Sequence, residues 1–157
     1  MKHIVKILMD IIYLFPIQLT NFKRKNQQDK IVAYGACKGI RLESERDITR
    51  GLNWALARRG FFILSDKKIV LGDWEIDLTD IEKAELIEYR SGMVLKISVK
   101  DGKYYQFGLQ YIRELLKQDV LEILLSNDRV KYSLFSIVIR IVLVIYLVFM
   151  AIEFFHL

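Results

Sequence analysis

Proline occurs once in this chain, cysteine once and histidine twice. A single cysteine, Cys37, excludes an intramolecular disulfide, and nothing in the composition points to an oxidising compartment. With no histidine near it in sequence to activate the thiol, Cys37 reads as a small buried hydrophobe. The histidines, His3 and His156, stand at opposite ends, which argues against a His-containing triad or zinc site. No Gly-rich loop of the Walker or dinucleotide kind is present. Asp73, Glu75, Asp77 and Asp80 form an acidic cluster, but the first three alternate with Trp74 and Ile76, as on the solvent face of a strand. The chain is therefore expected to be neither an enzyme nor a metal or cofactor protein.

What the chain has in quantity is apolar surface and charge. Of 157 residues, 53% are hydrophobic and 27% charged, too apolar for disorder and enough for one domain with terminal elements. The net charge of +5 is unevenly spread. Asn21–Val70 carries twelve basic residues against five acidic ones, an excess of seven, whereas Leu71–Asp128 is acidic on the same count. A basic half beside apolar segments suits anionic lipid as counter-charge, with nucleic acid the lesser option and plain surface solvation the bland one.

The apolar excess lies at the ends. Between Leu134 and Phe155 sixteen residues are Leu, Ile, Val or Phe. On a membrane-insertion scale these favour transfer by about 7 kcal/mol, opposed by Arg140 and Glu153 at up to roughly 2.5–3.5 kcal/mol each. This balance predicts a transmembrane helix over 131–156, although the uncharged run Ile141–Ile152 is only twelve residues and would not span alone. Arg129, Lys131 and Arg140 on its N-terminal side then place the preceding domain in the cytoplasm. At the other end, Lys2, Lys6 and Asp10 share one stripe of an otherwise apolar helix over 1–20, which Pro16 is expected to end or kink. Residues 21–30 read as a polar linker, in which Lys23, Arg24 and Lys25 form a membrane-proximal basic cluster.

Between these ends the period is mostly two. Ile31–Tyr34 begins a strand, and Cys37–Leu42 continues it or pairs with it. Ser44–Asp47 resembles a capping box, and Ile48, Leu52 and Leu56 follow at helical spacing, which predicts a short helix over Glu45–Arg59. Phe61–Leu64 and Lys68–Leu71 flank a hairpin turn at Ser65-Asp66-Lys67. Trp74, Ile76 and Leu78 alternate with acidic residues, and Trp54 and Trp74 both read as core. Strands follow over Ile81–Tyr89, Met93–Val99 and Tyr104–Phe107, the last two joined at Asp101-Gly102. A helical stripe over Gln110–Leu125 closes the domain.

The run Leu64-Ser-Asp-Lys-Lys-Ile, the step Ile76-Asp-Leu-Thr-Asp-Ile and the strand Gly102-Lys-Tyr-Tyr-Gln-Phe together resemble the pleckstrin-homology (PH) superfamily, in particular its GRAM-like and bacterial PH-like branches. The resemblance covers roughly Ile31–Leu125. It implies an α+β, mainly β fold over 31–127, with a curled antiparallel sheet capped by a C-terminal amphipathic helix, to which the sequence adds the terminal hydrophobic helices. It also implies a non-catalytic module that recognises anionic lipid headgroups or a protein partner. The basic residues Lys38, Arg41, Arg46, Arg50, Arg58 and Arg59 are the candidate headgroup patch on their own chemistry, since guanidinium forks suit phosphate. Their alternative is pairing with nearby carboxylates. A structural subunit, assembling with a membrane protein or with further copies of itself through the terminal helices, is the other functional reading.

Overall fold

The computed structural model describes residues 7, 8, 11, 12, 15–45, 49, 50, 54, 56–89, 92–126, 131, 132 and 134–156. They form helix α1 (Phe15–Lys25) and strands β1 (Ile31–Leu42), β2 (Thr49–Arg50), β3 (Arg58–Ser65), β4 (Lys68–Leu71) and β5 (Trp74–Asp77). A 3-10 turn (Leu78–Asp80) leads into β6 (Ile81–Tyr89), β7 (Gly92–Val99) and β8 (Tyr104–Leu109). Helix α2 (Arg113–Lys117), β9 (Leu124–Ser126), β10 (Lys131–Tyr132) and helix α3 (Leu134–His156) complete the chain. The fold is α+β and mainly β, as expected.

Two compact units emerge, one from 1–46 with 57–128 and the other from 47–56 with 129–157. The first holds an eight-stranded, half-barrel sheet in the order β5-β4-β3-β1-β8-β7-β6-β9. Its curl follows from how β1 is shared. Residues up to Gly39 pair with β3, residues from Cys37 onward pair with β8, and only three positions serve both neighbours. Inside the curl the alternating positions Phe62, Leu64, Ile69, Leu71, Leu86, Leu95, Ile97 and Phe107 form the main core. Period-two side-chain alternation is what assigns them to one face.

The run Gly60-Phe-Phe-Ile-Leu is apolar at every position because both faces of β3 are covered. Phe62 and Leu64 point into the curl, whereas Phe61 and Ile63 point outward and pack against Phe22 of α1, with Tyr34 and Val70 beside them. Residues 21–30 are therefore not a free linker. Phe22 fixes α1 to the outer face, and the next residues are tied to the β3–β4 turn. Lys30 and Asp66 are doubly joined: the Lys30 N–H donates to the Asp66 carboxylate Oδ1 at 2.9 Å, and the Asp66 N–H donates to the Lys30 carbonyl at 3.0 Å. Lys67 Nζ meets Asp29 Oδ1 at 2.9 Å. Pro16 lies in the first turn of α1, where a missing N–H has no intrahelical partner to lose.

Three expectations are corrected here. Arg58 and Arg59 belong to β3, not to a helix over 45–59, and Thr49–Arg50 is a two-residue strand paired in parallel with Lys131–Tyr132. The remainder of that segment, apart from Glu45, Trp54, Leu56 and Ala57, lies outside the described residues. The closing helix over 110–125 shrinks to Arg113–Lys117. Gln118 stops it: its side-chain amide accepts from Leu121 N–H at 2.8 Å and donates to the Leu121 carbonyl at 2.7 Å, so the chain turns and β9 joins β6 in parallel.

The third correction concerns the second unit. Among the described residues, no helix is long and apolar enough to cross a membrane. The expected single span over 131–156, and the cytoplasmic placement derived from it, are withdrawn. Charge interrupts α3 at Arg140 and Glu153, and the uncharged run between them covers about 18 Å at 1.5 Å per residue, well below a hydrocarbon core of about 30 Å.

Candidate functional site

Four residues of the candidate headgroup patch, Lys38, Arg41, Arg58 and Arg59, are described in the first unit, and they do not share one face of its sheet. Lys38 and Arg59 are direct cross-strand partners on the outer face of β1 and β3. Arg58 faces the other way, with its guanidinium 4.9 Å from the centre of the Trp74 ring and paired with Asp73. Arg41 lies beyond them on β1, opposite Tyr105 of β8. Arg50 belongs to the second unit, and Arg46 lies outside the described residues. For Arg58 the bland alternative is realised, since stacking and a carboxylate already occupy it.

Lys38 and Arg59 are different. Like charges placed directly opposite on a sheet repel. Partial burial of the ammonium, and then the Arg59 charge, hold Lys38 below the ordinary lysine value. A base whose folded value is depressed binds fewer protons folded than unfolded, so stability rises with pH just beneath the ordinary lysine value. Arg59→Gln is expected to move Lys38 back up and to flatten that rise, as read from the Lys38 Cε chemical shift across an alkaline titration. An unchanged shift would show that burial alone accounts for the depression.

Lys23, Arg24 and Lys25 form the last turn of α1, where cations complement the helix dipole. Arg24 and Lys25 also line a groove of about 560 Å³ between α1 and the outer face of the sheet. Gln18, Asn21 and Asn26 contribute polar groups from the helix side, and Phe22, Phe61, Ile63 and Val70 make an apolar floor. The groove's carboxylate, Glu75, is neutralised by Lys68 Nζ at 3.0 Å. Arg24 and Lys25 have no such partner among the described residues. Cationic side chains thus stand at the edge of an apolar floor with little opposing charge.

Sequence reasoning missed the groove because residues 21–30 looked structureless. A signal was present: Gln18, Asn21 and Lys25 recur at helical spacing, with Phe22 beside them as the single large apolar residue after Leu19. Elsewhere, burial pushes the Cys37 thiol well up, in keeping with an inert apolar role. Of the acidic cluster, Asp73 pairs with Arg58 and Glu75 with Lys68. No group of three or more His, Cys, Asp or Glu is placed to hold a metal among the described residues.

No protein-family model matches the chain, and no curated protein matches it.

Proposed function

We propose that this chain is a non-catalytic binding module, a PH-like head that recognises anionic lipid headgroups. One observation carries the reading: Arg24 and Lys25, unpaired among the described residues, stand beside an apolar floor whose carboxylate is already neutralised. Lys38 and Arg59 extend the same basic face along β1 and β3, and Lys23 adds a further exposed cation on α1. Such a face attracts phosphate-bearing surfaces at about 1 kcal/mol per basic residue near them.

The test is partitioning of the full chain into vesicles of phosphatidylcholine with and without phosphatidylglycerol. Arg24→Gln with Lys25→Gln is expected to lower the preference for anionic vesicles by about 2 kcal/mol, roughly 30-fold. An undiminished preference would remove α1 from the recognition surface.

A second reading has its own support. From Ile137 to Ile152, the apolar side chains of α3 are exposed on every side of the helix. A contiguous apolar surface of that size marks an interaction site. It suits a structural subunit that assembles through this helix. Loss of a co-purifying partner on truncation at Asn127, with vesicle preference intact, would favour this second reading.

A further inference from the structure

We infer that the groove between α1 and the outer face of the sheet is a binding site for a single-chain anionic amphiphile, with an alkyl chain on the floor and a phosphate or carboxylate head at Arg24 and Lys25. This deepens the proposal above and rests on its reading of α1 as the element that recognises anions.

The size is suitable. At about 560 Å³ the groove falls within the roughly 300–1,000 Å³ of small-ligand sites. Its lining is divided in the way an amphiphile requires. Phe22, Phe61, Ile63 and Val70 offer contact without hydrogen-bonding demand, while Gln18, Asn21 and Asn26 lie along the helix side. The charge is complementary to an anion because Lys68 holds Glu75, leaving Arg24 and Lys25 as the uncompensated groups. A neutral alkyl chain would use the floor but leave these cations without a counter-ion. A bare anion would meet the cations and gain nothing from the floor. Both features are used together only by a molecule carrying both.

The experiment is photo-crosslinking of the full chain with dodecyl phosphate bearing a diazirine near the chain end, with labelled residues mapped by mass spectrometry. Labelling is expected within Gln18–Asn26 and on Phe61, Ile63 or Val70. Unlabelled dodecyl phosphate and laurate should both displace the probe, whereas inorganic phosphate and dodecanol should not. Arg24→Gln with Lys25→Gln should cut groove labelling by roughly tenfold or more, following the loss of two near-surface charges. Val70→Trp, which fills the floor, should do the same. Asn21→Trp, at an exposed groove-lining position of α1, narrows the groove from the helix side and covers the case in which the first bulky variant fails to fold.

Labelling confined to α3, labelling unchanged in the variants, or displacement by inorganic phosphate as effective as by dodecyl phosphate would each overturn the inference. The two proposals fail separately. Groove labelling without a preference for anionic vesicles sinks the headgroup reading alone. A vesicle preference without groove labelling sinks the amphiphile site alone.

Discussion

Phe107→Ala is expected to destabilise the β domain by about 3–5 kcal/mol, a large share of the roughly 5–15 kcal/mol that holds an ordinary domain folded. Phe107 is wholly buried at the bottom of the curl. Its ring centre lies 5.5 Å from that of Phe62, 6.0 Å from Tyr105 and 6.5 Å from Trp74, so strands β3, β5 and β8 meet on one side chain. Truncation leaves a cavity that these rigid rings cannot collapse to fill, and cavity cost adds to lost transfer free energy. Trp74 touches the site and reports it directly. A urea titration of the full chain, followed by tryptophan fluorescence, should show the midpoint falling sharply with the slope preserved. A loss below about 1 kcal/mol would mean that the rings repack and that the curl does not depend on this residue.

Gly92→Val should come close, at about 3 kcal/mol or somewhat more. A Cβ on Gly92 would stand 2.5 Å from the carbonyl oxygen of Leu109. The obstacle is backbone, so relief requires β8 to move away from β7, which share six paired positions from Met93 to Ser98. Gly102→Ala is the matched control. Its φ of +79° strains any side chain, yet a Cβ there meets nothing within 4 Å, so only the backbone term of about 1–2 kcal/mol should appear. Equal losses at the two positions would show that strand spacing is not the constraint.

Gly102 also marks where the sequence was legible. The alternation through β5 to β8 and the turn at Asp101-Gly102 were readable because period two and turn chemistry act locally. Ile76 is buried, while Glu75 and Asp77 are exposed, as their order implied. The residues of 110–125 deceived because their apolar stripe fits a helix, and the Gln118 side chain that breaks it forms its bonds only once the chain has turned. Arg58 and Arg59 were read as helical neighbours, but adjacent strand positions point to opposite faces. That geometry sends one to Trp74 and the other to Lys38. The groove was least legible of all. It exists only because Phe22 lands on Phe61 and Ile63, some forty residues away, and no local pattern encodes that meeting. At the C-terminus, summed hydrophobicity overstated the span, because the sum does not register how Arg140 and Glu153 divide the apolar run.

The most direct test of the headgroup reading is the ratio of full-chain partitioning between anionic and neutral vesicles, followed from low to high salt. A ratio on the order of a hundredfold or more is expected at low ionic strength, because several cations act together, declining towards unity as salt screens them. A ratio near one at every salt concentration would contradict it and leave the exposed apolar surface of α3 as the basis of function.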